Sequence, residues 1–184
     1  MSILVVDNLS PFTPDILDCL SKLDIMYIYR KFSEVSDNGL KNCDKVILSG
    51  RRKNNKEINA VNSDIVRQCY QSGKPLLGIC YGAEIIALTL GGSIRRMPLH
   101  VHGKTEVLPS KSNALTANKK SIMVYESHGY CVARLPLNFQ TFASSQYCEH
   151  EIFSIIDGKI FGTQFHPEKS GSDGLALLQN FAEI

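Results

Sequence analysis

The chain has 184 residues, and the 43% that are hydrophobic are enough to fill the core of a single domain. Its 20 basic and 18 acidic residues give a net charge of +2, without a long run of like charge. This balance excludes the strongly basic surface that nucleic acid or an anionic membrane would need, so we expect neither partner.

The amino-terminal segment MSILVVDN has too few apolar residues for a signal peptide or a membrane span, which predicts a cytoplasmic protein. The six cysteines form no C-x-x-C motif, and a chain with a core of this size needs no disulfide framework. His100 and His102 lie close together without a third ligand nearby. We therefore expect no metal site and no cofactor.

In the first half, strand-like and helix-like segments alternate, which is typical of parallel strands joined by crossover helices. The predicted strands are ILVVD at 3–7, MYIY at 26–29, KVILS at 45–49 and PLLGI at 75–79. The predicted helices run from Pro14 to about Leu23 with Thr13 as the cap, from 62 to Gly73, and from the residue after Cys80 to the glycines at 91–92.

The second half has shorter alternating stretches and a closing helix. The stretches lie at 104–108, 122–127, 139–145 and 151–165, and the helix at 171–181. Asp157-Gly158 is the strongest hairpin signal of the chain. We predict a single domain over 1–184 with an α/β fold, in which a mostly parallel sheet with flanking helices carries an antiparallel hairpin extension.

Cys80 lies in Gly78-Ile79-Cys80-Tyr81-Gly82, the G-x-nucleophile-x-G pattern of a nucleophile elbow. A sharp strand-to-helix turn needs glycine where the neighbouring backbone comes close. It would place the sulfur at a helix amino terminus, which favours the thiolate, and direct the Tyr81 N–H toward the same place. Buried structural cysteines also occur in such turns, so a nucleophile requires a base nearby.

The segment GTQFHPEKSG supplies a candidate base. If residues 159–168 form a strand, alternation places Gln164, His166 and Glu168 on one side, and Pro167 would end the strand there. The carboxylate can then orient the imidazole that faces the sulfur, as in other nucleophile-base-orienter triads.

The segments LLGICYGAE and GTQFHPE, with ILVVDN and VILSG upstream, resemble the class I glutamine amidotransferases over essentially the whole chain. The resemblance implies a flavodoxin-like sheet and a Cys-His-Glu triad formed by Cys80, His166 and Glu168. It also implies hydrolysis of L-glutamine through a γ-glutamyl thioester, with ammonia passed to a synthase domain or to a separate synthase subunit.

The same resemblance implies substrate contacts. In YESHGY, the residues that would hold the α-groups of glutamine are Ser127, His128 and Gly129. The block HGKT at 102–105 also resembles a family segment. In the loop after the third strand, Gly50 and Arg51 would supply an oxyanion N–H.

Two positions depart from the family pattern. Arg51 stands where the family has a loop rich in glycine and proline, and Glu84 stands where it usually has glutamine. A carboxylate at position 84 can pair with the substrate ammonium group but repels the α-carboxylate, which bears on the affinity for glutamine.

The choice of synthase rests on shorter likenesses. VVDNLSPFT is similar to the glutaminase subunits of anthranilate and aminodeoxychorismate synthases, and HPEKSGSDGLALLQNF to that of imidazole glycerol phosphate synthase. GICYGAEIIAL, GKTEV and LPLNFQTFASSQYCE are more similar to the separate glutaminase subunit of archaeal-type GMP synthase, which we favour.

Two other functions stay open. A stand-alone hydrolase of γ-glutamyl amides would use the same thioester chemistry, and the departures at Arg51 and Glu84 favour it more than an orthodox sequence would. A catalytically silent relative that binds a partner or a small amine is disfavoured by the complete triad. Because 184 residues hold a glutamine domain without an acceptor site, we expect a glutaminase that needs a partner subunit.

Overall fold

The computed structural model describes residues 1–155 and 158–184, which contain one nine-stranded sheet. The strands are β1 (Ile3–Asp7), β2 (Tyr27–Lys31), β3 (Lys45–Leu48), β4 (Leu76–Ile79), β5 (Ser93–Pro109), β6 (Ile122–Arg134), β7 (Phe139–Ser144), β8 (Ile152–Ile155) and β9 (Ile160–Thr163). Their order in the sheet is β2-β1-β3-β4-β9-β8-β7-β5-β6. The first five strands in this order are parallel, and the others pair antiparallel, which confirms the predicted fold class.

Helices pack on both faces of the parallel part. They are α1 (Thr13–Lys22), α2 (Asp37–Lys41), α3 (Lys56–Ser72), α4 (Tyr81–Thr89) and α5 (Gly171–Glu183). All five residues of β1 are buried, and their side chains point alternately to the two faces of the sheet, where they join two separate hydrophobic cores. Ile3 and Val5 pack with α1 and α5, whereas Leu4 and Val6 pack with α3 and α4.

Two helix starts differ from the prediction. Thr13 does not cap α1, because its hydroxyl donates a hydrogen bond to the Asp7 carboxylate at 2.6 Å and thereby ties the helix to the end of β1. Helix α3 begins six residues before the predicted start at 62, at a point where Asn55 accepts N–H groups of the first turn. It ends, as predicted, at Gly73, whose φ of 68° suits glycine.

The antiparallel part is longer than its sequence pattern indicated. The predicted strands at 104–108 and 122–127 are portions of β5 and β6, whose long hairpin has an irregular register between Arg96 and Val101. Strands β8 and β9 pair antiparallel, but Asp157 of the predicted Asp157-Gly158 turn lies outside the described residues.

The topology brings two candidate site residues to one edge of the sheet. Strands β4 and β9 are parallel neighbours, with Ile79 opposite Thr163. Cys80 follows the first strand, and His166 follows the second by three residues. Sites in parallel sheets form outside the carboxyl ends of the strands, and this is such an edge.

Candidate active site

Cys80 occupies a strained turn between β4 and α4. Its φ of 51° and ψ of −105° are unusual for a residue with a side chain, as expected of a nucleophile elbow. Both flanking glycines are required by space. A Cβ on Gly78 would lie 2.3 Å from the Gly82 carbonyl oxygen, and a Cβ on Gly82 would lie 2.4 Å from the Leu48 carbonyl oxygen. The predicted elbow is therefore present.

His166 lies beside Cys80 and is fixed by its backbone. The Cys80 N–H donates to the Thr163 carbonyl at 2.7 Å, and the His166 N–H donates to the Tyr125 carbonyl at 2.9 Å. The side chains of Cys80 and His166 are neighbours, since a Cβ built on Gly50 would contact both of them. His166 Nδ1 is 2.8 Å from Glu168 Oε1, so the structure brings the three predicted side chains into one cluster.

Strand alternation, from which that grouping was predicted, is not its cause. Strand β9 ends at Thr163, and residues Pro167–Lys169 form a single 3₁₀ turn instead of continuing a strand. Proline suits the first position of such a turn, because its missing N–H has no intrahelical acceptor to lose. The turn therefore brings Glu168 back to the imidazole of His166.

Burial governs the protonation of the pair. Burial raises the pKa of the Cys80 thiol, and the neighbouring His166 only partly offsets this. Burial therefore opposes the thiolate that the helix amino terminus is expected to favour. Burial lowers the pKa of His166, but Glu168 and Cys80 together raise it well above its ordinary value. The sulfur thus depends on His166 to accept its proton.

Gly50 packs directly on this pair. A Cβ at Gly50 would lie 3.1 Å from His166 Cε1 and 3.8 Å from Cys80 Cβ. On another side, the ring of Phe12 meets His166 edge-on with centroids 4.8 Å apart. The imidazole is therefore held between a side chain and a backbone segment, a role that the sequence did not reveal for Phe12.

The side chain of Arg51 packs against helices α3 and α4. Its guanidinium lies 3.8 Å from the centre of the Tyr81 ring and donates to Asn59 Oδ1, which also accepts from the Tyr81 hydroxyl at 3.0 Å. Among the described residues that have side chains, those with positive φ are Leu9, Asp24, Cys80, Ala117 and Asn118. Arg51 therefore replaces the family glycine without left-handed backbone strain.

A cavity of about 220 Å³ opens beside Cys80. Its lining includes the predicted site residues Arg51, Cys80, Tyr81, Glu84, Ser127, His128 and Gly129, together with Arg52 and Lys53 at one side. The structure thus brings the predicted substrate-binding segment 127–129 to the same cavity as the candidate nucleophile. Gly50 is adjacent to Cys80 but does not itself line the cavity.

Glu84 is buried in the cavity wall, with 7% of its surface exposed. It accepts a weak hydrogen bond from Gln164 Nε2 at 3.4 Å. Burial raises the pKa of its carboxyl group, while Gln164 and the charges of Arg51 and His128 act in the opposite direction. The described part of the chain contains no ion pair at Glu84, so Arg51 influences it only from a distance.

A buried amide network positions the loop at 49–51. The Asn8 side chain donates to the Ser49 carbonyl at 3.0 Å and exchanges hydrogen bonds with Asn62 of α3, and the Asn8 N–H donates to Ser49 Oγ at 2.9 Å. These contacts fix Gly50 against His166. Single asparagines in a sequence give no signal of such pairing, so the prediction missed them.

The described residues contain neither a metal-binding cluster nor a membrane-spanning helix. No group of histidine, cysteine or carboxylate side chains there has the arrangement of a metal site. None of the helices in the same part of the chain combines the length and the apolar character needed to cross a membrane.

Comparison with known proteins gives consistent matches. A family model described as glutamine amidotransferase class-I matches residues 4–184. A glutamine-hydrolysing GMP synthase subunit of Methanococcus aeolicus is 33% identical over 154 residues, which cover 83% of this chain and 78% of that protein. The glutamine-hydrolysing GMP synthase of Haemophilus ducreyi is 37% identical over 147 residues and 75% of this chain, but the match spans only 28% of that longer protein.

Solved structures agree with these matches. A protein from Thermoplasma acidophilum, described as a candidate GMP synthase subunit, has a TM-score of 0.89 at 29% identity, covering 100% of this chain and 92% of that one. A glutamine amidotransferase from Thermotoga maritima has a TM-score of 0.78 at 20% identity, covering 100% of this chain and 83% of that one, and so shares the fold.

Proposed function

This chain belongs to the class I glutamine amidotransferases, and from that premise we propose that it hydrolyses L-glutamine at Cys80 and delivers the ammonia to a GMP synthase partner. Residues 1–184 act as one glutaminase domain. The observation that carries the proposal is the position of Cys80, at a strained elbow, beside a His166 whose Nδ1 is itself 2.8 Å from Glu168.

In the first step, His166 Nε2 takes the proton of Cys80 Sγ, and the sulfur attacks the γ-carbonyl carbon of glutamine. Because Nδ1 faces Glu168, Nε2 is the ring nitrogen left for this transfer. The tetrahedral intermediate then expels its nitrogen as ammonia, which receives the proton from His166, and a γ-glutamyl thioester remains on Cys80.

In the second step, His166 takes a proton from water, whose oxygen attacks the thioester carbon. The carbon–sulfur bond breaks, glutamate leaves, and the sulfur regains its proton from His166. Glu168 keeps the imidazole oriented and stabilises its cationic form in both steps. No outside oxidant or reductant is needed.

Backbone N–H groups stabilise the oxyanion of each tetrahedral intermediate. Tyr81 begins α4, and the first N–H groups of a helix lack intrahelical acceptors. Gly50 packs beside Cys80, and Arg51 lines the same cavity as Cys80. Glu84 and the segment 127–129 line the space where the α-groups of the substrate would lie.

The choice of partner is supported by two similar proteins that are described as subunits of GMP synthase. The direct test is release of ammonia from glutamine by the purified chain, with and without the ATP-binding subunit of a GMP synthase. We expect low activity alone and a clear rise with that subunit. Stimulation by an anthranilate or aminodeoxychorismate synthase subunit instead would redirect the proposal to that partner.

The buried carboxylate of Glu84 favours one alternative, a stand-alone hydrolase of γ-glutamyl amides. A carboxylate in the cavity wall suits a substrate with an additional cationic group. Such an enzyme would hydrolyse a γ-glutamyl amine faster than glutamine, and no synthase subunit would change its rate.

A further inference from the structure

Two glutamates without a role in the proposed mechanism are completely buried, and one of them directly precedes the segment 127–129. Glu126 lies on β6 and Glu151 directly precedes β8, and each has 0% of its surface exposed. Burial of two neighbouring carboxylates costs a large free energy unless protons or counter-charges compensate for it. Their surroundings show which compensation is present.

The imidazole of His128 supplies the counter-charge. Its Nδ1 is 2.7 Å from the Tyr130 carbonyl oxygen, and its Nε2 is 2.9 Å from Glu126 Oε2. A carbonyl oxygen can only accept, so Nδ1 carries a hydrogen, and the carboxylate at Nε2 favours a second one. Burial lowers the pKa of His128, but Glu126 and the Tyr130 carbonyl raise it above its usual value.

The hydrogen bonds of Ser145 indicate which oxygen of Glu151 is free to carry a proton. Its oxygen accepts the N–H groups of Tyr147 at 3.0 Å and Cys148 at 3.2 Å, so its own hydrogen points to Glu151 Oε1 at 2.6 Å. Glu151 Oε2 has no such donor in the described part of the chain, and neither has Glu126 Oε1, so one proton held between the two carboxyl groups would give both oxygens a partner. Two adjacent carboxyl groups form a hydrogen bond when one is protonated, and burial together with Glu126 raises the pKa of Glu151 well above its usual value.

We infer that Glu126 and Glu151 share one proton, keep His128 in the cavity wall cationic, and thereby strengthen binding of the substrate α-carboxylate. This inference rests on the proposed glutaminase function. The two glutamates are positioning residues, since they touch His128 and not the substrate. His128 and its neighbours Ser127 and Gly129 contribute to the cavity beside Cys80, where a buried positive charge acts strongly on an anion.

Two amide substitutions separate the effect of charge from that of packing. In Glu151→Gln, the amide oxygen still accepts from Ser145 and the amide N–H replaces the shared proton, so Glu126 remains ionised. In Glu126→Gln, the charge is lost, and a neutral His128 keeps its bond to Tyr130 while Nε2 accepts an amide N–H. Both variants retain hydrogen-bonding partners, so we expect both to fold.

The first readout is the protonation of the His128 ring in ¹⁵N-histidine-labelled protein, followed by long-range ¹H–¹⁵N correlation spectra. The His128 signals are identified by their loss in His128→Asn. At pH 7.5 we expect an imidazolium in the parent chain and in Glu151→Gln, and the neutral Nδ1–H tautomer in Glu126→Gln. A neutral His128 in the parent would overturn the inference, whatever the enzyme's activity.

The second readout is glutamine binding by calorimetry in a Cys80→Ala background, which prevents turnover. We expect Glu126→Gln to weaken binding about fivefold at pH 7.5 and Glu151→Gln to leave it within twofold. Equal weakening by both substitutions would show that the pair acts through packing alone. Absence of glutamine binding in the Cys80→Ala parent would contradict the proposed function itself, while the spectra would still decide the charge of His128.

The third readout is the pH dependence of this binding. Binding to the parent background should weaken as pH rises through the raised pKa of His128, whereas binding to Glu126→Gln should stay nearly level. Other titratable or charged groups that face the network are Glu84 on α4, Cys131 on β6, Arg95 on β5 and Cys148 before β8. Of these four groups, only Glu84 also lines the cavity, so the titration is repeated in Cys80→Ala protein that also carries Glu84→Gln. If glutamine binding to that protein no longer depends on pH, the inference is overturned.

Discussion

His166 Nδ1 lies 2.8 Å from Glu168 Oε1, and the opposite edge of the same imidazole faces Cys80. The carboxylate has 0% of its side chain exposed, and the imidazole 4%. Because water is nearly excluded from this contact, the charge of Glu168 acts on His166 with little screening. The contact therefore links the protonation of His166 to the reactivity of the sulfur.

Substitution of either partner should separate base catalysis from orientation. His166→Ala should lower the rate of ammonia release about 10²- to 10⁴-fold, since it removes the base. Glu168→Gln keeps a hydrogen-bond acceptor for Nδ1 but removes the charge, so its loss should be smaller. Steady-state rates with the synthase subunit present measure both effects, and full activity of His166→Ala would refute the assignment.

Gly50 should tolerate no side chain. In Gly50→Ala, the new Cβ would lie 3.1 Å from His166 Cε1, so the imidazole must shift by a few tenths of an ångström relative to Cys80. We expect turnover to fall about tenfold or more, because small displacements of reacting groups are costly. Gly39→Ala is a matched control, since its Cβ would only touch Ser36 Oγ at 3.4 Å. Equal activity of the two variants would contradict the proposed packing.

Glu84 should affect substrate choice. Glu84→Gln keeps an oxygen that can accept from Gln164 but removes a carboxylate from the cavity wall. We expect the KM for glutamine to fall or stay level, and the rate with a cationic γ-glutamyl amine to decrease. Kinetics with both substrates test this. A large loss of glutamine turnover would show that the substrate ammonium requires this carboxylate.

Glu151 should make the fold less stable at alkaline pH. Its pKa is raised in the folded state, so the unfolded chain loses the proton at lower pH, and stability falls as pH rises toward the folded value. The raised pKa of His128 acts in the same direction, because stabilisation by its cation is lost as pH rises through that pKa. In Glu151→Gln, the decrease in Tm from pH 6 to pH 9 should be smaller by a few degrees. If Tm decreases as much in Glu151→Gln as in the parent, Glu151 does not titrate in this pH range and the prediction is wrong.

The sequence predicted those parts of the site that depend on local patterns. Gly78 and Gly82 indicated the elbow at Cys80, because a close backbone approach can be inferred from glycine spacing. The pairing of His166 with Glu168 was predicted from strand alternation, which the 3₁₀ turn at Pro167 replaces. The sequence thus grouped residues that the structure brings together, but from an incorrect local geometry.

The parts that were missed depend on contacts between distant segments. Asn8 and Asn62 pair across 54 positions of the chain, and neither lies in a local pattern that indicates the pairing. Glu126 and Glu151 resemble ordinary strand-region charges in the sequence, although both are fully buried. Such partners become visible only when the fold is known, because they lie on segments that are far apart in the sequence.

The assignment of Cys80 as the nucleophile toward glutamine underlies the proposed function, and intact-mass spectrometry with a diazo-ketone analogue of glutamine tests it without a partner subunit. Attack by the sulfur expels dinitrogen and leaves one stable adduct. We expect a single adduct that peptide mapping places on Cys80, that added glutamine suppresses, and that Cys80→Ala abolishes. An adduct on another of the six cysteines, or equal labelling of the Cys80→Ala chain, would contradict the assignment.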